Sequence, residues 1–113
     1  MDIENSKSQM RKGILEYCIL AVLSQGDAYA NGIIDRMKEV KLIVVEGTLY
    51  PLLTRLKNDG LLTYRWEESK SGPPRKYYFI TAEGSAFLQE LDLTWKELVE
   101  AVNKVTKNTQ QEL

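Results

Sequence analysis

The sequence predicts a mostly α fold carrying one small β-hairpin, and three observations support it. Apolar residues recur at helical spacing in three successive segments before residue 60. Two short runs then alternate apolar and polar side chains around a Ser-Lys-Ser-Gly-Pro-Pro loop at 69–74. Beyond Thr81 one unbroken helical pattern runs on for about 25 residues, or about 37 Å. At 113 residues the chain fits one domain.

Each element has its own signal. Residues 1–8 are polar and read as a flexible, frayed lead-in. From Gln9 to Ser24, Ile14, Leu15, Cys18, Ile19, Val22 and Leu23 mark one helix face, with Gly26 as a stop just beyond. A second helix is expected over Tyr29–Lys41, with Tyr29, Ile33, Met37 and Val40 on one face. Leu42–Val45 reads as a turn. A third helix then begins between Glu46 and Thr48 and ends at Gly60, with Pro51 tolerated near its first turn. Leu49, Leu52, Leu53 and Leu56 form its buried stripe. The hairpin pairs Leu62–Glu67 with Lys76–Thr81, and Thr81 caps the last helix over 82–106. Residues 107–113 read as a flexible tail.

Three helices, a hairpin and a long helix, in that order, are the plan of a winged helix-turn-helix (residues 9–81) joined to a C-terminal helix (82–106) able to pair two chains.

Charge and composition limit the function. Overall charge is −1, but it is uneven: residues 1–27 carry −1, 28–80 carry +3 and 81–113 carry −3. A basic middle followed by an acidic tail fits a module that faces a polyanion. With no histidine and the single Cys18, a Cys/His zinc site and an internal disulfide are excluded, and no cofactor is expected. Cys18, in an apolar stretch, reads as a small buried hydrophobe. No apolar run reaches 18 residues and no secretory leader is evident, so a cytoplasmic, membrane-free protein is expected.

Turning the leucines of the third helix inward places Gly47, Pro51, Thr54 and Asn58 opposite, with Thr48, Tyr50 and Arg55 beside them. A slim surface of hydroxyls with one guanidinium suits the major groove of double-stranded DNA, although any solvated helix could carry those residues singly. Lys70, Arg75 and Lys76 on the hairpin are placed to touch phosphates, or simply to solubilise a loop. Trp66, Tyr77, Tyr78 and Phe79 read as hairpin packing.

The run Gly47-Thr48-Leu49-Tyr50-Pro51-Leu52-Leu53-Thr54-Arg55-Leu56, followed by Gly60-Leu61-Leu62, resembles the PadR family of bacterial transcriptional regulators. Arg75-Lys76-Tyr77-Tyr78-Phe79-Ile80-Thr81-Ala82-Glu83-Gly84 is similar to that family's second wing strand and the start of its last helix. The likeness spans Gln9 to Val105. It implies a homodimeric repressor, often released by a small molecule, of the smaller subclass with a single C-terminal helix. By the same resemblance Thr48, Tyr50, Arg55, Arg75 and Lys76 are the leading DNA contacts. Two departures bear on operator preference: Ala30-Asn31-Gly32-Ile33 replaces the usual Gly-Tyr-acidic-Ile, and Lys57 replaces a common acidic residue.

In the last helix Leu91, Trp95, Leu98, Val102 and Val105 step by 4, 3, 4 and 3, an a/d seam suited to a second copy of the chain. Trp95 has two readings, as a packing residue of that seam or as the stacking surface for a small aromatic effector. An enzyme has little to work with here: no histidine, no Gly-rich phosphate loop, and Glu67 and Glu68 forming only a solvated pair. The remaining alternative is a winged helix that binds another protein and no operator.

Overall fold

A computed structural model of the chain describes residues 2–111. Its elements are α1 (Ile3–Lys12), α2 (Leu15–Ser24), β1 (Ala28–Tyr29), α3 (Ala30–Glu39), α4 (Glu46–Asn58), β2 (Leu62–Glu67), β3 (Arg75–Ile80) and α5 (Ala82–Gln111). The fold is the winged helix with its long C-terminal helix, as expected. Met1 and residues 112–113, the extremes of the two expected flexible ends, lie outside the described residues.

Four differences from the sequence reading have physical causes. Residues 3–8 belong to a helix, because Asp2 caps it by accepting from the Glu4 amide at 3.0 Å, with Glu4 in the first turn and Arg11 and Lys12 in the last. The single helix expected over 9–24 is two, broken at Gly13 and Ile14. Tyr29 does not begin a helical face. With Ala28 it forms a two-residue strand too short to register as alternation, so the sheet has three antiparallel strands in the order β1-β3-β2. Finally, α5 continues to Gln111 rather than stopping near 106.

Inside those elements the predicted core is largely in place. Ile19 and Leu23 of α2, Ile33 and Met37 of α3, and Leu49, Leu53 and Leu56 of α4 are buried together with Leu62 and Tyr78 of the sheet, and Leu20, outside the expected face of α2, is buried with them. Each such side chain contributes on the order of 1.5–3 kcal/mol. Leu52 is half-buried and packs at the margin of the core, whereas Val40 is 68% exposed and leaves the stripe assigned to it. Cys18 is half-buried against the core, and burial pushes its thiol pKa up.

Helices α3 and α4 end in the same way. The amide two residues past the C-cap reaches back to the third-last carbonyl of its helix (Leu42 to Met37 at 2.9 Å, Leu61 to Leu56 at 3.0 Å), and the amide before it bonds one carbonyl later. The residue between must take a left-handed conformation: Gly60 at φ 79° in one case, Lys41 at φ 65° in the other.

Gly60-Leu61 then meets the start of α5. The Thr81 amide donates to the Leu61 carbonyl at 3.2 Å and its hydroxyl donates to the Gly60 carbonyl at 2.7 Å. The same hydroxyl accepts from the Gly84 amide at 3.0 Å and so caps α5. Gly84 passes so close that a Cβ there would sit 1.8 Å from the Leu61 carbonyl oxygen. One turn on, Leu88 enters the core, and the Tyr17 hydroxyl of α2 donates to Asp92 Oδ1 at 2.5 Å. Among the described residues no helix is long and apolar enough to cross a membrane, and no group of side chains could hold a metal ion.

Gly84→Ala should therefore lower stability by about 2–3 kcal/mol, since backbone must shift to admit the methyl. Gly47→Ala, with nothing within 4 Å of the new Cβ, should be neutral or gain up to about 1 kcal/mol. Urea midpoints of the two variants check this. Tyr17 supplies a pH-dependent test. Its hydrogen bond to Asp92, then burial, then the Asp92 charge push its pKa from 10.0 up to about 12. A phenol held protonated in the fold stabilises fully below its unfolded pKa and loses that contribution as pH climbs through the folded value. Tyr17→Phe should cost about 1 kcal/mol at neutral pH. The gap to the parent should narrow as urea titrations move above pH 10 toward 12.

Candidate nucleic-acid interface

Burial of Leu49, Leu53 and Leu56 fixes the rotation of α4 about its axis. Gly47, Thr48, Tyr50, Pro51, Thr54, Arg55 and Asn58 consequently stand exposed, as the leucine spacing requires. The central line of this surface, Gly47, Pro51, Thr54 and Asn58, is small enough for close approach to a base-pair edge. No side chain caps the first turn, where Val45 occupies the N-cap position.

The two flanks of α4 differ. On one side Tyr50, 47% exposed, borders a groove of about 460 Å³ shared with Trp66, Pro74, Arg75 and Lys76 of the wing. On the other, Arg55 turns toward α2 and pairs with Glu16 at 3.2 Å. The Arg55 guanidinium thus sits at the edge of the exposed face rather than at its centre. Lys57 lies 5.6 Å from the Tyr64 ring, also clear of that face.

The wing cations are not loose. Arg75 Nη2 donates to Asn31 Oδ1 at 2.6 Å, and its guanidinium lies 4.0 Å over the Tyr29 ring. Lys76 Nζ lies 4.6 Å from the Tyr64 ring and 5.6 Å from Trp66. Lys70 is exposed in the connecting loop. Trp66 packs edge-on to Tyr64 at 5.6 Å, and Tyr29 packs likewise against Tyr77 at 4.7 Å, so the aromatic run serves the sheet. Arg65, which pairs across the hairpin with Tyr77 and lies 4.6 Å over its ring, is engaged by Glu67 at 2.8 Å and Asp27 at 3.5 Å.

Sequence reasoning missed Tyr29 and Asn31 as supports of the wing. They lie 44 or more residues from Arg75 along the chain, and only the pairing of β1 with β3, Tyr29 opposite Tyr77, brings them together.

The predicted seam on α5 divides in two. Leu91 is half-buried and packs against the core of its own chain. From Trp95 onward the stripe is largely exposed: Trp95, Leu98 and Val102 are 41%, 52% and 55% exposed, and Val105 is 68% exposed. Between this stripe and α1 lies an apolar cavity of about 360 Å³, lined chiefly by Met10, Ile14, Trp95, Leu98, Val99 and Val102. The Trp95 ring stands 6.3 Å from that of Tyr17, tilted by 47°. Met10 and Ile14 reach this site through the helix break at Gly13 and Ile14, which the apolar spacing of residues 9–24 does not reveal.

Comparison with known proteins agrees with this geometry. A PadR-like transcription factor from Bacteroides fragilis has a similar structure (TM-score 0.76, 64% identity, 89% of this chain and 98% of that one). A PadR-like transcriptional regulator from Bacillus cereus matches with a TM-score of 0.76 at 37% identity, over 86% of this chain and 95% of that one. The PadR protein of Bacillus subtilis, solved in complex with operator DNA, is 26% identical with a TM-score of 0.65, over 69% of this chain and 46% of that one. An uncharacterised protein of Lysinibacillus sphaericus is 30% identical over 100 residues, 86% of this chain and 92% of its own. Residues 19–90 match the transcriptional regulator PadR-like family, and the chain belongs to it.

Proposed function

We propose that this protein is a sequence-specific, DNA-binding transcriptional repressor that acts in the cytoplasm as a homodimer. The observation behind this reading is the exposed face of α4: Thr48, Tyr50, Thr54 and Asn58 raised on a buried leucine stripe, beside a wing bearing Lys70, Arg75 and Lys76. The relative crystallised with operator DNA supports the partner. Thr54 and Asn58 read base edges, Tyr50 fills the groove wall beside the wing, and Lys70, Arg75 and Lys76 meet phosphates. Arg55, already paired with Glu16, orients at the rim of the contact.

Residues 9–81 serve as the reading unit, and residues 82–106 join two of them. The exposed stripe of Trp95, Leu98, Val102 and Val105, rooted at Leu91, pairs with its counterpart in a second chain. Two-fold symmetry then sets the two α4 helices one DNA turn apart, about 34–36 Å, and calls for a near-palindromic operator. The cavity beside Trp95 admits a flat aromatic effector whose binding releases the DNA.

Binding to the duplex upstream of the protein's own gene, measured at several salt concentrations, tests the central reading. Affinity should fall steeply with salt as phosphate contacts release counterions. Arg75→Ala should weaken all sequences alike and reduce the log–log salt slope by about 1, whereas Thr54→Ala should cost about 1–3 kcal/mol at one operator position only. Absent or salt-independent binding would instead favour a protein-binding winged helix. Trp95→Ala should loosen the dimer in sedimentation velocity, and an unchanged tight dimer would remove Trp95 from the seam.

A further inference from the structure

We propose that the end of α1 forms a second phosphate-binding station on the flank of α4 opposite the wing, in which Arg11 and Lys12 hold a backbone phosphate of the DNA that α4 reads. This inference rests on the DNA-binding reading given above and adds a contact that charge counting along the chain conceals, since residues 1–27 carry a net −1.

The geometry begins at the break in the chain at Gly13. It ends α1 beside the first turn of α4, so that Ser8, Arg11 and Lys12 line one wall of a groove of about 300 Å³ and Val45 and Thr48 line the other. Two cations and two hydroxyls face one another across a space of that size. A phosphate diester offers the acceptors that all four groups lack as donors.

Charge pairing leaves these two cations available. Glu4 is taken by Lys7 at 3.5 Å, and Glu16 by Arg55 at 3.2 Å. Glu46, the one acid of α4, faces the opposite groove, beside the wing. Among the described residues Arg11 and Lys12 have neither an ion pair nor a side-chain hydrogen bond. By contrast, Arg75 and Lys76 on the wing are already held by Asn31 and by aromatic rings. A helix end alone favours cations, which accounts for basic residues at 11 and 12 but not for the opposing hydroxyl of Thr48.

Position supplies the rest. A helix lying in the major groove has a phosphate backbone on each side of it. In the proposed reading the wing meets one backbone, and the end of α1 supplies the cations that border the N-terminal turn of α4 on the other side. Arg11 also borders the apolar cavity beside Trp95, so Lys12 is the cleaner residue to alter.

Lys12→Gln and the double variant R11Q/K12Q are compared with the parent on one operator duplex over a salt series, with melting curves as the folding control. Each lost phosphate contact should lower the log–log salt slope by about 0.9, giving a drop of about 1 for Lys12→Gln and about 2 for the double variant. Both should weaken scrambled duplexes by the same factor as the operator. A duplex carrying single neutral methylphosphonates then locates the contact: one position should cost the parent affinity but leave the double variant unaffected. An unchanged slope in a folded Lys12→Gln protein, or the absence of such a position, overturns the station while the reading by α4 stands. A parent that binds no duplex defeats the underlying reading instead.

Discussion

The contact on which the molecule's geometry turns is the one between the end of α4 and the start of α5. Gly60 takes the left-handed conformation that lets Leu61 close α4, and the two carbonyls freed there are bonded by the amide and hydroxyl of Thr81. Gly84 allows α5 to lie against the Leu61 carbonyl with no room for even a methyl group. The proposed reading helix and the helix that carries the exposed apolar stripe are thereby tied by two hydrogen bonds and a close backbone approach. Leu88 in the core and the bond from Tyr17 to Asp92 extend the same joint by two more turns. In a dimer held by α5, the distance between two α4 helices would follow from this joint alone. That explains physically why the Gly60-Leu61-Leu62 and Thr81-Ala82-Glu83-Gly84 segments belong together.

Net charge says little about such a surface. The chain is slightly acidic overall, yet several of its carboxylates are spent locally: Glu67 and Asp27 on Arg65, Glu16 on Arg55, Glu4 on Lys7 and Glu100 on Lys104. Pairs this exposed contribute little stability, but they decide which cations remain open to an outside anion. Arg75 and Lys76 of the wing are ordered by aromatic faces and, for Arg75, by Asn31, which would lower the entropy cost of meeting a fixed row of phosphates. Asn31 stands at one of the positions where the chain departs from the usual pattern of its family, and the structure gives that departure a role in bracing Arg75.

Local chemistry made most of the fold legible. Leucines at 49, 53 and 56 gave α4 its rotation, the 69–74 loop gave the hairpin, and Thr81 gave the start of α5, because each is a signal contained within a few residues. What escaped depended on distance along the chain. The strand at Ala28–Tyr29 exists only because β3 lies alongside it, and two residues cannot show a period. The helix at Ile3–Lys12 has a mean polarity that reads as a loose end, and only the Asp2 cap and the charge order from Glu4 to Lys12 argue for it. For the candidate site, the exposed residues of α4 were all legible. Their partners were not, since Glu16 with Arg55 and Asn31 with Arg75 are tertiary pairs.

The placement of α1 bears on how an occupant of the Trp95 cavity would be felt at the DNA. A ligand shifts an equilibrium only by its difference in affinity between two arrangements, so the cavity must differ between the DNA-bound and DNA-free forms. Most of its wall cannot supply that difference: Trp95, Leu98, Val99 and Val102 all belong to α5, which is fixed to α4 by the Gly84 joint. The remaining wall is Met10 and Arg11 of α1, before the helix break at Gly13, and Ile14 at the start of α2. Arg11 borders the cavity on one side and the groove beside Thr48 on the other. An aromatic ring wedged against Trp95 would press first on this wall and so displace cations at the flank of α4, without any need to bend α5. Release by that route would require α1 to shift while the joint between α4 and α5 holds.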